Sequence, residues 1–169
     1  MKEKYKLIAK QIKFIVTVVI ISGVLIHLFM VYNTAKSLEI EDKKIVGIYL
    51  KYPSIDEYEV KFMLALNNPK TTEIEIDYIS YSIYVENEFV GSGKKPHFII
   101  QHGIHNYSFL LSFSILNLSS ATKSLLIDGD EINIRIKGDV LIPAKFLGLF
   151  TWRYIKLPYE MEEKVKLNG

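Results

Sequence analysis

The run FIVTVVIISGVLIHLFMVY, Phe14–Tyr32, constrains this chain more than any other stretch. The 22 residues between Lys13 and Lys36 carry no charge. At about 1.5 Å per helical residue such a run matches the roughly 30 Å hydrocarbon core of a bilayer. Val and Ile are poor helix formers in water, but in lipid only a helix satisfies its own backbone groups. Ser22 and Gly23 leave room for a second helix to approach. A secretory signal core is normally only about 7–15 residues, and Asn33-Thr34-Ala35 makes a poor cleavage site. The expectation is an uncleaved transmembrane anchor over residues 14–35.

The flanks set its orientation. Lys2, Lys4, Lys6, Lys10 and Lys13 precede it against Glu3, whereas Lys36, Lys43 and Lys44 follow it against Glu39, Glu41 and Asp42. Counting basic residues places a 1–13 tail in the cytoplasm and everything after the span outside it, in a single-pass protein of the cell membrane. Tyr5, Leu7, Ile8 and Ile12 among the lysines also suit contact with an anionic inner leaflet. His27 falls inside the span, as a functional intramembrane group or one that snorkels to the interface.

Residues 36–44 read as a charged linker, and 45–169 are long enough for one domain with a core of its own. Taking five lysines and Glu3 from the chain's 21 basic and 19 acidic residues leaves 16 and 18, a balance of −2. A nucleic-acid surface would need clustered positive charge, so no nucleic-acid partner is expected. With no cysteine, disulfides and thiolate metal sites are excluded.

Alternation then dominates. Val46, Ile48, Leu50 and Tyr52 share one phase, as do Tyr58, Val60, Phe62, Leu64 and Leu66, the residues between them forming the opposite face. Asn67-Asn68-Pro69 stops the second run, since proline offers no N–H and restricts the residue before it. Ile74 and Ile76 lie out of phase with Ile79, Tyr81, Ile83 and Val85, which predicts a bulge near Asp77-Tyr78. Glu86-Asn87-Glu88 reads as a hairpin turn, and Gly91-Ser92-Gly93 as the end of the strand it starts. Phe98 and Ile100 mark a further short strand. Tyr107, Phe109, Leu111, Phe113 and Ile115 make another, and Ile132, Ile134 and Ile136 another that resumes after Gly138. Residues 117–126 suit one short helix. The pattern predicts an all-β, immunoglobulin/fibronectin-III-like antiparallel sandwich behind one apolar helix.

Three segments in order carry a resemblance. Leu64-Ala65-Leu66-Asn67-Asn68-Pro69, then Ile74–Tyr78 with Val85–Gly91, then Ile136–Pro143 with Leu147-Gly148 and Leu157-Pro158, resemble the late-embryogenesis-abundant type 2 domain. That domain is also known as WHy, for water stress and hypersensitive response. The likeness covers roughly 44–160. It implies a sandwich without a catalytic centre or cofactor, associated with desiccation and other stress and often membrane-anchored, in archaea as well as plants. It assigns structural roles to Asn68, Pro69, Gly91 and Gly138. Phe146–Tyr154 departs from the family's usual Leu-Gly turn by its aromatic bulk.

Catalytic signatures are lacking. Gly91-Ser92-Gly93-Lys94-Lys95 has neither the spacer nor the Ser/Thr of a phosphate loop. His97, His102 and His105 lack a carboxylate or Cys nearby in sequence, and read as surface or edge histidines rather than a zinc site. Asp128-Gly129-Asp130-Glu131 lacks the further ligands of a calcium loop. Asn106 and Asn117 open glycosylation sequons.

What remains is Phe146–Tyr154. As one strand, Phe146, Phe150, Trp152 and Tyr154 share a face opposite Leu147 and Leu149, unless a bulge at Gly148 resets the phase. Either both faces are covered, or Phe150, Trp152 and Arg153 contact lipid or a protein partner. Two functions follow. One is a membrane-anchored, non-enzymatic domain that protects the outer surface or binds lipid or protein there. The other is a structural subunit of an envelope assembly using the sandwich as an interaction module.

Overall fold

The computed structural model describes residues 2–128 and 131–168. Helix α1 (Lys2–Lys36) leads into β1 (Glu39–Leu50), β2 (Glu57–Asn68), β3 (Ile74–Val85), β4 (Glu88–Ile100) and β5 (Gly103–Ser114). A 3₁₀ turn and helix α2 (Ser120–Asp128) then cross to β6 (Glu131–Phe146) and β7 (Phe150–Asn168). Two antiparallel layers form, β1-β2-β5 and β4-β3-β6-β7. They join where the end of β7 pairs in parallel with β1 at Ile48–Leu167 and Tyr49–Asn168. This is the expected all-β sandwich behind one N-terminal apolar helix.

The alternating residues meet between the layers. Phe62, Leu64 and Leu66 of β2 are fully buried, as are Ile79 and Ile83 of β3 and Ile134 and Ile136 of β6. Phe62 stacks on Phe109 at 4.7 Å, and both receive the edge of Tyr81 from the facing layer, at 5.2 and 5.5 Å. Burying each such side chain contributes about 1.5–3 kcal/mol.

Several expectations change. The 36–44 linker shrinks to Ser37-Leu38, because β1 begins at Glu39 and pairs with β2 from Asn67. Register shifts between Ile40 and Asp42 and between Ile45 and Gly47 break its alternation, so Ile45 and Ile48 are buried while Leu50 and Tyr52 are exposed. The bulge expected at Asp77-Tyr78 is not there: the β3–β4 offset stays constant through it and shifts only at Ile83/Tyr84. The change of buried phase coincides instead with the point where β3 parts from β6, whose pairing starts at Tyr78.

Gly91 and Gly93 do not end a strand; β4 runs through them opposite Ile83 and Tyr81. A Cβ on Gly93 would collide with the Tyr81 hydroxyl, so the glycine makes room for a ring. Gly138 does the same inside β6, where a Cβ would strike the Ser80 carbonyl and the ring of Tyr159. That ring's hydroxyl donates to Ser80 O at 2.9 Å. Burial, with Tyr81 and Asp139 beside it, pushes the Tyr159 phenol up.

Candidate functional site

Phe146–Tyr154 is a hairpin rather than one strand. β6 ends at Phe146, residues 147–149 turn, and β7 starts at Phe150. Leu147 (φ 50°) and Gly148 (φ 72°) both take left-handed backbone, unusual for a leucine. The Leu149 N–H closes the turn on Phe146 O at 2.9 Å. The ladder shifts between Ala144 and Lys145, so Trp152 is the extra residue and the expected reset lies there, not at Gly148. Phe150 therefore pairs with Phe146 and Tyr154 with Pro143. These pairs lie on opposite faces, because partners share a face and residues 143 and 146 alternate. The assumed common face for Phe150 and Tyr154 is thereby lost.

The tip is uncovered. Leu149 is 81% exposed, Leu147 61%, Phe150 57% and Trp152 39%. Tyr154 is exposed too. No burial hides both sets of side chains.

α1 lies against this hairpin. Ala35 and Leu38 sit in the core, while Val31, Leu28 and His27 continue the same helical face partly covered. The His27 ring meets Phe146 edge-on at 5.4 Å, and its Nε2 accepts the Leu147 N–H at 3.0 Å. The guanidinium of Arg153 stands 5.3 Å from the centroid of Tyr32, a cation–π distance. Below His27 every side chain described on the helix is exposed, and the apolar window carries no burial. By length and composition it is one helix able to cross a membrane or serve as a signal sequence.

Polar groups reach the base of the tip, where Gly148 lines a cavity together with Glu73, Glu75 and Lys145. This cavity of about 230 Å³ opens between Thr34 and Ala35 of the helix and Thr72, Ile74 and Ile142. Glu75 at its edge receives Lys145 Nζ at 2.5 Å and meets His97 Nε2 at 2.8 Å. Burial would raise this carboxyl, but those two partners outweigh it and hold it below the ordinary range. Lys156 bonds Asp139 at 2.9 Å, which lifts its ammonium above the usual value.

The remaining predicted residues lie elsewhere. Asn68 is fully buried; its Nδ2 donates to Thr72 O at 2.9 Å and Ile100 O at 3.3 Å, and its Oδ1 accepts from Lys70 N at 3.0 Å. Pro69 follows it, exposed, at the mouth of that turn. The three histidines have separate surroundings: His97 faces Glu75, His102 faces Lys70 O, and His105 lies on β5 opposite Leu66. Gly129 and Asp130 of the supposed calcium loop lie outside the described residues. Asn106 and Asn117 are both exposed.

Sequence reasoning missed the His27–Leu147 and Tyr32–Arg153 contacts, since nothing local links positions more than a hundred residues apart. The one available hint was a histidine in an apolar helix, a group that needs a partner.

Known proteins give the fold a context. No protein-family profile matches the chain. An uncharacterised protein of Methanocaldococcus jannaschii is 24% identical over 130 residues, 75% of this chain and 70% of that one. The solution structure of AT1g01470 from Arabidopsis thaliana superposes with a TM-score of 0.55 at 16% identity, over 78% of this chain and 85% of that one. A candidate late embryogenesis abundant (LEA) protein, At2g46140.1, gives 0.51 at 18% identity, over 89% of this chain and 85% of that one. At these identities the likeness is one of fold.

Proposed function

We propose that this chain is a membrane-anchored, non-enzymatic domain of LEA type 2/WHy character, stress-protective or lipid- or protein-binding at the outer face of the cell membrane. The supporting observation is the junction: an uncovered apolar helix enters the sandwich with only Ser37-Leu38 between them. A sandwich so attached is carried at the bilayer surface rather than on a flexible leash. The fold likeness to a candidate LEA protein supports the stress-related reading.

Two measurements test this. Full-length protein should stay with membranes through alkaline carbonate washing, and protease added outside sealed cells should remove the sandwich but spare the N-terminal tail. Release by carbonate, or a protected sandwich, would overturn the anchor and its orientation. Mild solubilisation followed by mass analysis then divides the roles. Co-purifying lipid supports the surface-binding reading, and a stoichiometric protein partner points to the envelope-subunit alternative.

A further inference from the structure

We propose that the tip of the β6–β7 hairpin is a second membrane-inserted element, entering the acyl-chain region of the outer leaflet alongside α1. The occupant of the uncovered tip is lipid. The inference rests on the reading of α1 as a membrane span.

Depth along the helix is the first argument. Leu147 sits level with His27, to which it is hydrogen-bonded. Measured from Phe14, a hydrocarbon core of roughly 30 Å at about 1.5 Å per residue ends some twenty residues on, near Asn33. Measured from Lys10, with both Lys10 and Lys13 at the inner boundary, it ends near Met30. Either way the boundary lies beyond His27, and the tip falls about 4–10 Å inside it. Tilting the helix reduces its rise across the bilayer and moves the tip deeper.

The chemistry changes in the same direction. Leu147, Leu149 and Phe150 form the tip itself, Trp152 and Tyr154 follow along β7, and Arg153 reaches Tyr32 at the outer end of the apolar run. An apolar tip followed by aromatics interleaved with the cations Lys145 and Arg153 matches the passage of a bilayer from chains to headgroups. Apolar side chains leave the hairpin on both faces, as suits a wedge surrounded by lipid rather than a flat patch meeting a protein.

The backbone of the turn points the same way. A turn in hydrocarbon must find partners for its N–H groups, because no water is present to serve. The Leu149 N–H is taken by Phe146 O and the Leu147 N–H by His27 Nε2. A turn in water would need no imidazole for this. The same bond gives the histidine a partner: an acceptor nitrogen in the apolar helix meets a backbone donor of the turn brought to its depth.

Because the natural chain has no cysteine, single-cysteine variants test the proposal cleanly. Leu149→Cys, Gly23→Cys and Ser92→Cys would each carry a solvatochromic maleimide in full-length protein, reconstituted in phosphatidylcholine–phosphatidylglycerol vesicles. A Cβ on Gly23 meets nothing within 4 Å, and Ser92 is exposed on the sandwich. At position 149 the expected result is blue-shifted emission, quenching by spin-labelled acyl chains, and several-fold weaker iodide quenching than at 92. If 149 behaves like 92 while 23 responds to lipid, the anchor stands and insertion fails. If 23 is also open to iodide, the anchor itself fails. A site at 149 shielded from iodide yet untouched by acyl-chain quencher means a protein covers the tip, which also overturns the proposal.

Discussion

Two hairpins at opposite ends of one sheet solve the same backbone problem with opposite chemistry. The β3–β4 turn places Glu86 and Asn87 at φ 48° and 69°, the β6–β7 turn places Leu147 and Gly148 at 50° and 72°. Around the first the side-chain hydrogen-bond partners are polar, although Phe89 beside the turn is exposed and packs on Tyr84. Glu86 Oε1 accepts the Asn133 N–H at 2.6 Å, and Arg135 bonds Asn87. Glu88 accepts the Ser119 N–H at 2.8 Å and its hydroxyl at 2.5 Å, with Thr122 bonding the same carboxylate. Around the second the partners are a helix, a ring and one imidazole. Left-handed turns ordinarily choose Asn, Asp or Gly. Glu86 and Leu147 both depart from that preference, one toward a charged side chain and the other toward an exposed apolar one.

The sheet between the two hairpins offers the largest perturbation. Gly138→Ala places a methyl against the fixed Ser80 carbonyl and should cost about 1–3 kcal/mol or more, as overpacking does. The clash at Gly93 is with the far end of the Tyr81 side chain, which can swing, so Gly93→Ala should cost less. Thermal melts of the two variants rank them, and equal losses would refute this account of Gly138.

Charge at the tips sharpens the comparison directly. Leu149→Asp puts a carboxylate where lipid is expected, with a penalty below the ~2.5–3.5 kcal/mol of a mid-bilayer Asp because the tip lies nearer the boundary. Asn87→Asp at the polar tip should change nothing in the bilayer. Accessibility of a probe on the hairpin reads both, and equal responses would erase the distinction drawn here.

His27→Ala removes the acceptor of the Leu147 N–H and should cost about 1–3 kcal/mol in bilayers, the usual penalty of an unpaired buried donor. The effect should shrink in an open, water-rich micelle. A loss of equal size in both media would make the bond merely structural.

Acid gives the smallest effect and acts at the polar pole. The Ser119 hydroxyl, the Thr122 hydroxyl and the Ser119 N–H hold the Glu88 carboxyl below its ordinary value of 4.5. A depressed folded value means the contribution is full above the unfolded value and fades as pH falls through the folded one. Below about pH 4.5 the start of α2 should loosen first, seen as faster amide exchange at Ser119 and Thr122. Glu88→Gln should abolish that pH dependence.

Legibility followed local regularity. β2, β5 and the first half of β6 were readable because Tyr58–Leu66, Tyr107–Ile115 and Ile132–Ile136 alternate without interruption. The start of β1 was hidden by its two register shifts and by the charges of Glu39–Lys44, which suggest a linker. Gly91 and Gly93 misled because glycine in a strand signals an ending as readily as space for a neighbour's ring, and only the facing Tyr81 decides. The β6–β7 turn was obscured by leucines where turn residues belong. Crowded aromatics marked the region, but its helix partner depends on contacts spanning 120 positions.

Trp152, the chain's one tryptophan, reports on insertion of the hairpin without any substitution. Its fluorescence in full-length protein should be recorded in vesicles containing lipids brominated at graded depths along the acyl chain. The account predicts blue-shifted emission, strongest quenching by bromines near the glycerol level and little response to aqueous acrylamide. Emission like that of tryptophan in water, quenched by acrylamide and indifferent to every brominated lipid, would contradict it.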